Sequence, residues 1–196
     1  MTNQPISFFV FTKPWKMTPL ETLCEFVHGL GFDGIELPVR PVYQVEPEAI
    51  LKDLPQAVRT LAASGVKIFS IAACAESGVP IIRICLDLPA PSYRESETLW
   101  RKQWDALVPL LDRYGVTLGI QNHSGRSVSN ASGLRSLLQG YDPKHIAAVW
   151  DAVHTALQGE EPEIALDIIC PHLCMVNLKN VYWQRLNGPE AEVAQW

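Results

Sequence analysis

Seven short apolar runs rich in β-branched residues alternate with longer segments of helical period, and that alternation leaves few folds open to the chain. The runs cover residues 7–11, 34–37, 66–71, 81–86, 116–121, 146–150 and 173–178. Between them the periodicity predicts helices over 18–30, 47–64, 96–114, 131–139 and 162–169. Thr18 is the expected N-cap of the first helix, ahead of Pro19, and Gly31 its stop. Strand–helix–strand repetition builds a parallel sheet, and no internal repeat or linker divides it, so residues 1–196 are expected to form a single domain.

Two places break the rhythm. Residues 72–80 leave nine positions between the third and fourth runs, where a right-handed crossover usually takes a dozen or more. Either the connecting helix is a stub or part of the third run is helical. After the seventh run the chain turns polar around Asn187-Gly188-Pro189, with no eighth strand before Trp196. A closed barrel of this kind needs eight strands and typically about 250 residues. The expectation is therefore α/β, a (β/α)8 TIM-barrel-like fold, truncated or open after strand seven, with its eighth βα unit missing, deleted or replaced. Open edges on strands one and seven need protection, for which a homodimer is expected.

Composition narrows the function classes. The chain is 47% hydrophobic and 19% charged, the balance of a soluble globular protein. A net charge of −5, with Lys and Arg scattered, argues against nucleic acid. The N-terminal MTNQPISFFVFTK lacks the pattern of a signal peptide. No apolar run approaches the ~18 residues a membrane span needs, so no membrane contact and a cytoplasmic location are expected. Cysteines at 24, 74, 85, 170 and 174 are read as small buried hydrophobes. Cys170 and Cys174 have the wrong spacing for a zinc knuckle.

The fifth, sixth and seventh strand runs turn polar at their C-terminal ends, and in a parallel barrel those ends share one rim. Side chains alternate along a strand, so one parity faces the interior. With Leu118 and Ile120 toward the helices, Gly119, Gln121 and His123 face inward. By the same rule Glu36, Arg83, Asp151, Asn177 and Lys179 converge on one cavity. Glu36 and Arg83 read either as an interior ion pair or, for Arg83, as an anchor for a substrate phosphate or carboxylate. Lys179 reads either as a hold on a substrate oxygen or as the partner of Asp151, which could also be a plain strand-end cap. His123 and His154 read equally as structural or as site residues. Lys13, Trp15 and Trp183 are expected to pack on the rim.

Four motifs carry a family resemblance. Gly31-Phe-Asp-Gly-Ile-Glu-Leu37, Leu118-Gly-Ile-Gln-Asn-His123, Trp150-Asp-Ala-Val-His154 and Met175-Val-Asn-Leu-Lys-Asn180 together resemble the sugar phosphate isomerase/epimerase proteins of the xylose isomerase-like TIM-barrel superfamily. The resemblance implies a divalent metal held by a Glu, an Asp, a His or Gln and a second Glu from strands five to eight. It also implies proton transfer between adjacent carbons of a sugar. On this chain Asp151 falls on the strand-six ligand and His154 on the neighbouring His, whereas Gln121 replaces the Glu, Asn177 replaces the His, and the strand-eight Glu has no counterpart. Amide oxygens bind divalent ions more weakly than carboxylates and are not bases near neutral pH.

The resulting expectation is a sugar or sugar-phosphate isomerase/epimerase-like enzyme. Catalytic roles fall to His154, His123 and Lys179, substrate binding to Glu36, Arg83 and Asn177, and metal binding to Asp151 and Gln121. The cofactor is Mn²⁺, Mg²⁺ or Zn²⁺, or none; a softer ion would use His123, Asp151 and His154. The alternative is a non-catalytic family member binding a sugar or polyol as a sensor or accessory subunit. The abasic-site endonucleases of the same superfamily fit poorly, given the acidic charge and the missing His ligands.

Overall fold

The seven apolar runs become seven parallel strands laid side by side in chain order. They are β1 (Phe9–Phe11), β2 (Gly34–Leu37), β3 (Lys67–Ile71), β4 (Ile81–Cys85), β5 (Thr117–Gln121), β6 (Ile146–Asp151) and β7 (Leu173–Asn177). Every neighbouring pair is parallel. A sheet whose order never doubles back is wound in one direction, so it curls into a half-barrel with its helices on the outside. This computed structural model describes residues 6–71 and 79–182, and the backbone of 184–185 and 194–195. The last four form a two-residue antiparallel pair, β8 (Gln184–Arg185) with β9 (Ala194–Gln195), separate from the main sheet.

β1 and β7 end the sheet, and a cavity of ≈ 980 Å³ lies between them, reached by Phe9 and Phe11 on one side and Met175 and Asn177 on the other. The short link expected between the third and fourth strands falls largely on residues 72–78, outside the described residues. Among the described residues β3 and β4 pair at Ser70↔Ile81 and Ile71↔Ile82, and β4 and β5 at five positions.

The helices are α1 (Leu20–Gly29), α2 (Ile50–Ala63), α3 (Tyr93–Tyr114), α4 (Ala131–Leu138), α5 (Ala152–Leu157) and α6 (Pro162–Ile169). α1 begins later than expected because Pro19, extended at φ −53°, ψ 146°, occupies the N-cap itself, so Thr18 does not cap it. Gly31 does stop it: at φ 75° its N–H donates to the His28 carbonyl, 3.0 Å. α3 begins earlier than expected because Ser92 and Glu95 form a reciprocal capping box, each accepting from the other's backbone N–H. α5 was not foreseen; six residues show no useful period, and the helix is started by Asp151, whose Oδ1 accepts from His154 N at 3.3 Å.

Two apolar layers join helices to sheet. Trp100 and Trp104 of α3 and Leu134 and Leu138 of α4 pack on the cluster holding Leu118, Ile120 and Ile146. Leu23 and Val27 of α1 and Leu54 and Leu61 of α2 do the same for Ile35, Leu37 and Ile71. Each buried side chain of this size stabilises by roughly 1.5–3 kcal/mol. Val176 and Leu178 at the β7 edge remain exposed. Cys24 is buried, Cys85 and Cys174 are half-buried, and burial pushes the Cys174 thiol up to about 12. Cys170 departs from the buried-thiol expectation, because it sits in an exposed 3₁₀ turn before β7 rather than in the strand. Among the described residues no helix is long and apolar enough to cross a membrane.

Candidate functional site

Strand alternation carries five polar side chains to the C-terminal rim of the half-barrel, where they join in one chain of hydrogen bonds. Glu36 of β2 accepts from Arg83 Nε of β4 in an ion pair. Arg83 Nη1 donates on to Gln121 Oε1 of β5, and Gln121 Nε2 donates to Asp151 Oδ2 of β6 at 2.8 Å. The same Oδ2 lies 2.6 Å from Lys179 Nζ, just past β7. Lys179 Nζ also reaches His154 Nε2 at 2.9 Å. Glu36, Gln121, Asp151 and His154 are buried, so the charges of Glu36 and Asp151 depend on Arg83 and Lys179 rather than on water. Asp151 therefore serves both as N-cap of α5 and as the hub of this network.

Donor chemistry settles the tautomers. An ammonium can only donate, so His154 Nε2 accepts from Lys179 and the ring proton sits on Nδ1. A carbonyl can only accept, so His123 Nδ1, 2.6 Å from the Ser124 oxygen, carries a proton, and it is in the neutral ring that Nε2 holds the lone pair. The two rings lie 3.9 Å apart, tilted by 36°. Burial lowers the His154 pKa to about 4; Asp151 opposes the shift, while Lys179 and His123 add to it. His154 is thus neutral at physiological pH. Asn177, half-buried, stands in register beside Asp151 and lines the cavity along with Glu36, Lys13 and Lys179. Trp15 stacks on Phe26, with centroids 6.3 Å apart. Trp183 lies outside the described residues.

The structure adds residues that alternation did not single out. Asn122, one step past β5 and fully buried, accepts from Asp151 N at 2.7 Å and donates to Asp151 O at 3.0 Å and to Thr155 Oγ1 at 2.9 Å. Trp150 Nε1 donates to the same hydroxyl at 2.9 Å. Asn122 and Thr155 therefore clamp the backbone that presents Asp151. Cys85 Sγ lies 3.4 Å from Gln121 Oε1, and its thiol is raised by burial, an effect that Arg83 opposes.

These donors do not fit a divalent ion. Asp151 Oδ2 already accepts from Gln121 and Lys179, and Oδ1 from the His154 amide. Gln121 turns its amide nitrogen, not its oxygen, toward Asp151. Among the described residues no group of three or more His, Cys, Asp or Glu side chains is arranged to hold a metal.

The xylose isomerase-like TIM barrel pattern matches residues 68–190, more than half of the chain. The chain belongs to the xylose isomerase-like TIM barrel family. No curated protein matches it by sequence. Among solved structures it is similar to 3-keto-D-glucoside 4-epimerase from E. coli, at TM-score 0.70 and 12% identity over 88% of this chain and 78% of that one. It is likewise similar to the probable 3-DHS dehydratase of Bacillus anthracis, at TM-score 0.71 and 14% identity over 90% and 74%. A family protein from Mycobacterium smegmatis, solved in complex with magnesium, gives TM-score 0.68 and 13% identity over 91% and 76%. At such identities the likeness speaks for the fold.

Proposed function

We propose that this xylose isomerase-like protein binds a sugar, sugar phosphate or polyol at the barrel mouth and transfers a proton next to its carbonyl, as an isomerase or epimerase does. The observation that carries the reading is the meeting of a fixed ammonium, Lys179, with the imidazoles of His154 and His123, whose rings lie 3.9 Å apart at the rim. Epimerases among the proteins of similar fold support it as an analogy.

The chemistry runs through this chain's own groups. A substrate carbonyl oxygen near Lys179 Nζ gains an electrophile that also steadies the enediolate oxygen formed on deprotonation. His123 Nε2, with its lone pair set by the Nδ1–H bond to Ser124, takes the proton from the neighbouring carbon and returns it. His154 keeps Lys179 in place rather than acting as the base, since a group titrating near pH 4 accepts protons poorly at neutral pH. Glu36 and Asn177 offer the cavity an acceptor and an amide for hydroxyl groups, with Arg83 fixing Glu36. No step is assigned to a metal.

A second reading, binding without turnover, draws support from the fact that both rim carboxylates already carry a cation. Proton NMR in D₂O with a panel of ketoses and ketose phosphates separates the two. Exchange of the C–H next to the carbonyl, abolished in His123→Gln, supports the enzyme. A ligand-induced melting shift without exchange supports the binder, and neither result removes both readings. Pairing of two copies along the β1 and β7 edges belongs to the same proposal, and a monomer in sedimentation overturns it.

A further inference from the structure

We propose that the Lys179 ammonium stands in the place of a divalent metal, as the resident cation of the pocket, and excludes one. The observation is positional. One nitrogen lies 2.6 Å from Asp151 Oδ2 and 2.9 Å from His154 Nε2, so it engages at once the carboxylate and the imidazole that a metal in this mouth would need. A Mg²⁺ or Zn²⁺ ion would sit about 2.0–2.2 Å from the same oxygen. Ion and ammonium cannot both occupy that space.

Gln121 gives independent support. Arg83 can only donate and the Asp151 carboxylate can only accept, so the Gln121 oxygen must face Arg83 and its NH₂ must face Asp151. An amide turned this way hydrogen-bonds the carboxylate and cannot share a metal with it. Charge agrees with geometry: Glu36 and Asp151 are balanced by Arg83 and Lys179, so an added dication would leave the mouth with an uncompensated double positive charge.

Lys179 has three ammonium hydrogens, of which Asp151 and His154 take two. Lys179 also lines the cavity, so the third is available to an oxygen of whatever binds there. That last role rests on the proposed function above; the exclusion of metal does not.

The test is titration of Mn²⁺ into the EDTA-treated full chain, followed by calorimetry and by the electron paramagnetic resonance of free Mn²⁺. Wild type is expected to show no stoichiometric binding at micromolar Mn²⁺. Lys179→Met, which frees Asp151 and His154, is expected to bind at least about tenfold more tightly than wild type. Lys179→Gln serves as the second variant, with circular dichroism confirming that each is folded. Stoichiometric micromolar binding by wild type overturns the proposal. So does equal affinity in wild type and the folded variants. Because the readout is metal binding, it is independent of the deuterium exchange that tests turnover.

Discussion

Lys179 and Asp151 meet at 2.6 Å from opposite sides of the protein surface: the carboxylate is fully buried, whereas the lysine side chain is 41% exposed. Deleting either partner therefore leaves a different residue of the pair. In Asp151→Asn the ammonium can swing to water, and the amide keeps the shape of the hub. In Lys179→Met the carboxylate stays inside with only Gln121 and a backbone N–H to hold its charge. Removing one partner of a fully buried pair costs about 3–5 kcal/mol. Lys179→Met is expected to lose about 2–4 kcal/mol and Asp151→Asn about 1–2 kcal/mol. Urea denaturation of the two variants checks the order, and the reverse order would show that the exposed end carries the dependence.

The lowered His154 pKa makes stability depend on pH in a fixed direction. The unfolded chain binds a proton near pH 6.5, the folded site only near pH 4, because burial, Lys179 and His123 outweigh Asp151. Between these values the unfolded state holds more protons. This contribution is therefore present above pH 6.5 and is lost as pH falls toward 4. Melting temperature is expected to drop by a few degrees more in wild type than in His154→Gln between pH 7 and pH 5. Parallel melting curves for the two proteins would remove His154 as the source.

Asn122 tests whether the site is held from behind. Its side chain bonds both backbone groups of Asp151, 2.7 and 3.0 Å, as well as Thr155. Truncation to Ala strands those buried groups at about 1–3 kcal/mol. Asn122→Ala is thus expected to destabilise the fold by about 2–3 kcal/mol and to weaken binding of any ligand that relies on Lys179. Unchanged stability, measured by chemical denaturation, would show that water replaces the amide.

Much of this was legible in the sequence because period two is a strong signal. Alternation placed Glu36, Arg83, Gln121, Asp151 and Lys179 on one side, and the structure links those five in one hydrogen-bonded chain. Leu118 and Ile120 went to the helix side for the same reason. Alternation says nothing once a strand ends, which is why Asn122, bonded to the backbone rather than aimed into the mouth, went unmarked. α5 was missed because its start is written in the Asp151 side chain and not in a repeat. The partnership of Lys179 with both Asp151 and His154 depends on how the chain turns after β7, and no local pattern encodes that.

The barrel interior is also packed closely enough to test with one methyl group. Gly119 of β5 faces inward against β6, and a Cβ built on it would lie 2.6 Å from Val149 Cγ2, 3.3 Å from Ile81 Cγ2 and 3.4 Å from Cys174 Sγ. The first of these is a β-branched side chain held by its own strand, so it has little freedom to rotate away. Relief would require β5 and β6 to part, two residues below Gln121 and Asp151. Gly119→Ala is expected to cost about 1–3 kcal/mol as overpacking. The double variant Gly119→Ala/Val149→Ala should regain part of that loss, since the methyl that collides is gone. Thermal melts of the wild type, both single variants and the double variant give the coupling directly. Strict additivity would mean that the strands separate freely, and that the spacing beneath the Gln121–Asp151 hydrogen bond is not set by this contact.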